Sequence, residues 1–397
     1  MKIYTNIWLF LFLLGISGRI FAGDTLKFRG QLSAWGNIGP DSDLPVWLGG
    51  RFIPQLNYGI MLPSDRLIDF EASANIHGAA GLTPFDSLDT EGKVKAYRLW
   101  ARFSGKQFEL RAGLQKINFG SASLLRPLMW FDQLDPRDPL QLTDGVWGLL
   151  GRYYFLNNAN IWLWSLYGNG GQRAWDILET PQRRPEFGGR IQIPVLPGEV
   201  AFSCHFRHTQ LPHFLQIISG IPQGGTGYEA ALLPTGAEGI YPEHRFALDG
   251  KWDVGPGLWF ESVWIHNTGN FSMLTNQTML TLGADYTFSV GNGLSLVFEH
   301  LFLSFDQKAF DFGNRSDFSA LTASYPLGMN HHLSAILYRD WENRNLYSFV
   351  NWRTQFSRFT LYTMAYWNPV LFQLPQMNSP NLLFTGKGLQ IMFVYNF

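Results

Sequence analysis

The sequence predicts an all-β fold: a transmembrane antiparallel β-barrel of about eighteen strands, with short periplasmic turns and long extracellular loops. Three observations lead there. The chain has 397 residues, of which 15% are charged and 16% aromatic, yet its mean hydropathy is −0.06. Short alternating segments recur to the last residue. The connections between them are short and long by turns.

Composition removes other classes first. Soluble domains carry roughly 25% charged residues, well above this chain. After the N-terminus no stretch approaches the ~18 apolar residues that a spanning helix needs. The single Cys204 excludes a disulfide framework and a cysteine-based zinc cluster. A formal net charge of −1 gives no case for nucleic acid. An aromatic, charge-poor chain without net hydrophobicity fits strands that face lipid on one side and water on the other.

Residues 1–22 read as a secretory signal peptide. Lys2 precedes the apolar run from Ile7 to Ile16, and Ile20-Phe21-Ala22 offers a small residue for cleavage near Ala22. Residues 23–397 form the predicted barrel, placed in the outer membrane of a Gram-negative bacterium.

The alternation then fixes strands in chain order, at 25–34, 48–60, 67–78, 93–104, 107–116, 146–155, 160–168, 187–194, 198–207, 244–254, 257–266, 277–289, 293–305, 317–325, 331–339, 345–354, 357–366 and 387–397. Most run about 9–13 residues, near the ~9–11 of a tilted membrane strand. In 67–78, Ile68, Phe70, Ala72, Ala74 and Ile76 oppose Asp69, Glu71, Ser73, Asn75 and His77. In 107–116, Phe108, Leu110, Ala112 and Leu114 oppose Glu109, Arg111, Gly113 and Gln115. Such a period of two, with a charged second face, marks opposite solvents on the two sides. Segments 160–168 and 257–266 are apolar on both faces and are expected to lie against a plug or loop. Trp100, Trp162, Trp164, Tyr153, Tyr154, Tyr362, Tyr366 and Trp367 sit near strand ends, where aromatic girdles are expected, although core packing uses such residues as well.

Loop lengths supply the second test. Connections after even-numbered strands do not exceed about six residues, and several are turn sequences such as Pro197-Gly198 and Gly255-Pro256-Gly257. Connections after odd-numbered strands are long at 35–47, 79–92, 117–145, 169–186 and 208–243, with 340–344 the exception. The final Leu389, Ile391, Phe393, Tyr395 and Phe397 share one face. A last strand ending in Phe resembles the assembly signal of bacterial outer-membrane barrels, which implies the barrel-assembly machinery as a partner.

Loop 117–145 is the candidate constriction. It is rich in Pro and Asp but also holds Leu124, Leu125, Leu128, Met129, Trp130 and Phe131, which gain little in a solvated loop. Its site candidates are Arg126, Trp130, Asp132, Asp135, Arg137 and Asp138. The alternative is a packed external cap. Its aspartates lack a calcium-loop spacing, and no metal is assigned. The pore-lining candidates are Arg98, Arg102, Glu109, Arg111, Arg152, Arg190, Arg207 and Lys251. Arginine ladders in a pore favour anions; the competing expectation is a cross-strand salt-bridge network with Glu109 and Asp69 as partners. No G-x-S-x-G, H-E-x-x-H or P-loop motif is present, so neither an enzyme nor a cofactor is expected.

The run Leu110-Arg111-Ala112-Gly113-Leu114-Gln115-Lys116-Ile117-Asn118-Phe119-Gly120, followed by Trp130 and Asp135-Pro136-Arg137-Asp138-Pro139, resembles outer-membrane porins of the alginate-export-like and related barrel groups. There a G-x-Q-x-I/L-x-x-G strand precedes an Asp- and Pro-rich loop. The resemblance implies eighteen strands and an Arg-lined lumen that carries an anionic polysaccharide. The expected function is a passive, loop-constricted channel for small polar or anionic solutes or a polysaccharide. Outer-membrane lipid and lipopolysaccharide are its expected surroundings. The alternative is a closed barrel that serves as scaffold for a secretion, surface-polysaccharide or electron-transfer complex.

Overall fold

The computed structural model describes residues 25–42, 44–83, 87–212, 239–269, 271–370 and 384–397. The leader at 1–22 and most of loop 208–243 lie outside the described residues.

Eighteen strands form one sheet. They are β1 (Thr25–Ile38), β2 (Val46–Leu62), β3 (Arg66–Leu82), β4 (Leu88–Ser104), β5 (Phe108–Gln115), β6 (Val146–Tyr154), β7 (Asn160–Leu166), β8 (Glu186–Val195), β9 (Gly198–Thr209), β10 (Tyr241–Asp253), β11 (Gly257–Asn267), β12 (Asn276–Phe288), β13 (Leu294–Asp306), β14 (Arg315–Pro326), β15 (His331–Asp340), β16 (Leu346–Gln355), β17 (Phe359–Trp367) and β18 (Lys387–Asn396). Each pairs antiparallel with its sequence neighbour, and β1 pairs with both β2 and β18, so the sheet closes on itself. Closure removes the free edges that an open sheet leaves.

The barrel is sealed beside its last residue. Gly30 and Phe397 exchange backbone hydrogen bonds of 3.0 Å in both directions. The Phe397 ring covers Gly30, where a Cβ would collide with it, and packs against Phe28 and Phe52.

Every strand lies where the alternation predicts it. The main departure is length: β2, β3 and β4 each run 17 residues and continue past the amphipathic pattern at their long-loop ends. His77-Gly-Ala-Ala-Gly-Leu82 carries little alternation, because both faces of a hairpin above the lipid belt meet water. Within β4 a register shift at Ser73/Ala74 inserts one residue. This bulge lets Lys93 and Lys95 above it and Arg98, Trp100 and Arg102 below it all point inward.

The outward face is apolar and exposed, as at Leu32, Phe70, Leu110, Leu163, Leu248, Phe298 and Leu337. Cys204 lies on this face, in register with Gly189 and Phe246. The girdle expectation is corrected for Trp100, Tyr154, Trp162, Trp164, Tyr362 and Tyr366. They share a face with Arg98, Arg152, Glu186 and Gln390 and point inward. Strand parity overrides their position near strand ends.

Candidate site: an occupied lumen with one polar wall

Residues 116–145 leave β5 and turn into the barrel. Ile117, Phe119, Leu124, Leu125, Leu128, Met129, Trp130 and Phe131 are all buried. They join one apolar cluster with inward residues of β6 round to β17, including Leu150, Trp164, Val263, Met279, Leu301, Tyr338 and Phe349. This accounts for strands β7 and β11, which are apolar on both faces: one face meets lipid and the other meets the loop. No residue of β18 or of β1–β4 belongs to that cluster.

Two wall carboxylates hold the loop by its backbone. Glu299 of β13 accepts from the N–H groups of Ser123, Leu124 and Leu125 at 2.7, 2.9 and 2.6 Å. Glu261 of β11 accepts from Ala122 at 2.7 Å and Leu128 at 3.2 Å. Thr281 of β12 donates to the Leu125 carbonyl at 2.8 Å. Loop N–H groups turned away from water need such partners, and a charged acceptor is the strongest kind.

The G-x-Q-x-I-x-x-G run now has a physical reading at each position. Gly113 sits at φ +121°, where a Cβ would collide with the Leu99 carbonyl. The Gln115 amide donates to the Gly148 carbonyl at 3.0 Å and secures the strand exit. Ile117 enters the apolar cluster. Gly120, at φ +97°, leaves room for the Glu261 carboxylate.

The loop candidates divide into three groups. Arg126 pairs with Asp132 at 2.9 Å, and donates to Asn118 Oδ1 and the Ala122 carbonyl, so both charges are internal struts. Trp130 packs edge-on to Phe119 and stacks on His205. Arg137 pairs with Asp135 at 2.7 Å and lies over Phe349 and Phe384. Asp138 accepts from the Leu140 N–H at 2.9 Å. Burial raises its carboxyl above the ordinary range, against these backbone hydrogen bonds and the charge of Arg51. Burial likewise lowers Lys116, where β5 ends.

All eight wall candidates face inward, in three different settings. Near the short turns Arg102 holds Asp69 through two bonds of 2.8 and 2.7 Å. Glu109 meets Arg111, Arg102 and Arg152 at 2.8, 3.3 and 3.7 Å. Arg111 lies over Trp100 at 4.7 Å and Arg152 over Trp162 at 3.8 Å. The cross-strand network with Asp69 and Glu109 is therefore present, with more arginines than acids. Lys251 stands over Trp259. Arg98 donates to the Thr143 carbonyl at 2.9 Å.

Arg190 and Arg207 differ from the expectation that they line a pore. Arg190 is enclosed by Asp249, Ser203 and Phe119. Arg207 is enclosed by Glu243, Asp176 and Thr180, its side chain 1% exposed. Arg190 is covered by Phe119 of the first loop and paired with Asp249 of β10; Arg207 is covered by a second inward loop, 167–185, which brings Asp176 to Arg207 and Arg245. Sequence reasoning missed it; the signal was Ala174-Trp175-Asp176, an apolar pair and a carboxylate opposite arginines that need partners.

The wall without apolar cover runs over β1–β3. Here Gln31 Oε1, Ser33 Oγ, Arg51 Nε, Ser73 Oγ, Asn75 Oδ1 and His77 Nδ1 have no hydrogen-bond partner among the described residues. On β4 beside it, Lys95 pairs with Asp144 at 2.6 Å. Buried polar atoms in folded proteins are almost always satisfied. A stripe of these atoms, facing the lumen, calls for water as its partner.

No family model matches the chain, and no curated protein matches it. Solved structures do. OccAB4 of Acinetobacter baumannii is 11% identical with a TM-score of 0.53, over 95% of this chain and 98% of that one. OccK5 (OpdH) of Pseudomonas aeruginosa is 12% identical with a TM-score of 0.52, over 96% and 99%. OmpF of Salmonella typhi, in complex with daunomycin, is 10% identical with a TM-score of 0.49, over 95% and 99%. These are outer-membrane porins, and the likeness to the two Occ proteins is one of fold.

Proposed function

We propose that the chain is a passive outer-membrane channel for small polar or anionic solutes. The carrying observation is the asymmetry of the lumen. Loop 117–145 fills the side from β6 to β17 with apolar contacts, while β1–β3 lie outside that apolar cluster and keep a stripe of polar atoms without protein partners among the described residues. A barrel closed as a scaffold gains nothing from that stripe, since each unsatisfied buried group costs about 1–3 kcal/mol.

Charge sets the preference. Arg51, Lys93, Lys95 and Arg98 face the stripe, and the arginines around Glu109 face the vestibule below it. Fixed cations lower the barrier for anions in a narrow aqueous path. The filling of the lumen by loop 117–145 favours small solutes over a polysaccharide. Outer-membrane lipid contacts the apolar exterior, and the terminal strand sealed by Phe397 is the element offered to the assembly machinery.

The test is single-channel recording of the refolded mature protein in a planar bilayer under a salt gradient. A stable conductance with anion preference is expected, and Arg51→Ala and Arg98→Ala should each lower the anion-to-cation ratio several-fold. A folded barrel without conductance would transfer the case to the closed scaffold.

The raised Asp138 carboxyl adds a pH dependence. As pH falls through that raised value, Asp138 takes up a proton before an ordinary aspartate does, and the stripe gains net positive charge. A raised carboxyl also means tighter proton binding in the folded form, so the same fall in pH stabilises the folded form. Anion preference should increase on acidification from about pH 7 to about pH 4, and Asp138→Asn should remove that step. A reversal potential equally pH-dependent in the variant would assign the change to other groups.

A further inference from the structure

We infer that loop 167–185 is the keystone of the constriction: Trp175 and Asp176 position loop 117–145, which the wall carboxylates alone do not fix. The inference rests on the channel reading above for its consequence, but its structural half stands without it.

Asp176 bridges two arginines from neighbouring strands. Its carboxylate meets Arg207 of β9 and Arg245 of β10, each at 2.6 Å. Glu243 joins the same arginines at 2.5 and 2.7 Å. All four side chains are at most 3% exposed. The two arginines are balanced only when Asp176 is present, so the wall keeps an uncompensated buried charge unless the loop is docked. Breaking such a pair is strongly unfavourable, and the docked position is correspondingly well defined.

The next residue transmits that position. The Trp175 indole N–H donates to the Arg126 carbonyl at 2.8 Å, across from one loop to the other. Arg126 is the internal strut of loop 117–145, tied to Asp132, Asn118 and Ala122. A second link runs in parallel. Arg173 pairs with Glu186 at 2.7 Å, Glu186 bonds His205 at 3.1 Å, and His205 lies against Trp130 and Phe131. Glu261 and Glu299 hold residues 122–128 from the β11 and β13 side. Loop 167–185 closes over the same segment from the β8–β10 side. Removing either support leaves the segment free to move within the lumen.

The test uses the full mature chain with Cys204→Ser, spin-labelled at Gln133→Cys on the exposed part of loop 117–145 and at Lys106→Cys on a short turn. Double electron–electron resonance reads the distance between them in Asp176→Asn, Trp175→Phe and the parent. The parent should give one narrow distance distribution. Both variants should broaden it, with Asp176→Glu restoring part of the order. Heat-modifiable gel migration confirms that each variant is a folded barrel. Broadening supports the positioning role whatever the conductance does. A broadened loop with unchanged conductance would count against the constriction. Narrow, parent-like distributions in folded Asp176→Asn and Trp175→Phe would overturn the inference.

Discussion

Replacing Glu261 and Glu299 together by alanine should raise the single-channel conductance several-fold and make it noisy, while the barrel itself still folds. Between them the two carboxylates accept five backbone N–H groups from Ala122 to Leu128. A hydrogen bond to a charged group contributes about 1.5–3 kcal/mol, so the loss is large on the scale of loop docking. It is borne by the loop and not by the sheet, because no strand pairing depends on either side chain. Glutamine is the discriminating replacement. It keeps the volume but has one acceptor oxygen and a donor that faces other donors. Glu299→Gln, which loses more bonds than Glu261→Gln, should be the more conductive single variant. Equal conductance of Glu299→Gln and the parent would mean that apolar packing, Glu261 and loop 167–185 hold the loop without Glu299.

Much of this architecture is legible in residue order. Alternation in 67–78 and 107–116 places Asp69, Glu109 and Arg111 on the inner face without any structure, and Arg102 of β4, in register with both Asp69 and Arg111, links the two strands. The apolar content of 124–131 marks a loop that is not solvated, and the two-sided apolar strands β7 and β11 mark the wall that receives it. What the sequence leaves open is which buried groups meet. Arg190 and Arg207 look like Arg102 and Arg152 in a strand pattern. The difference is made by Asp249 two strands away and by Asp176 in a loop, contacts that no local period encodes. The same holds for Glu261 and Glu299. A lumen-facing carboxylate can bind ions or anchor a loop, and only the position of residues 122–128 decides between them. Tyr338 and Tyr366 carry both signals at once, an aromatic ring and an inward parity, and there parity decides.

Removing a negative charge from the vestibule should have the opposite effect to removing a positive one, and Glu109 gives the sharpest version. Its carboxylate faces three guanidinium groups between 2.8 and 3.7 Å. Glu109→Gln leaves Arg102 held by Asp69, but leaves Arg111 and Arg152 with only the faces of Trp100 and Trp162. Two effects compete. Repulsion among the three arginines destabilises the cluster, by about 1.5–3 kcal/mol if the loss resembles that of other charged hydrogen bonds. Partial exposure to water screens that repulsion, and the cation–π contacts keep the side chains in place. The cluster should therefore persist with one more net positive charge, and the reversal potential should move further towards the anion limit. Arg111→Ala should move it back, because it removes a cation and leaves Glu109 with Arg102 and Arg152. Opposite shifts from the two variants require that fixed charge at this level selects the ion. Shifts of the same sign would instead show that both substitutions act by collapsing the vestibule, and that Glu109 serves to hold three strands together.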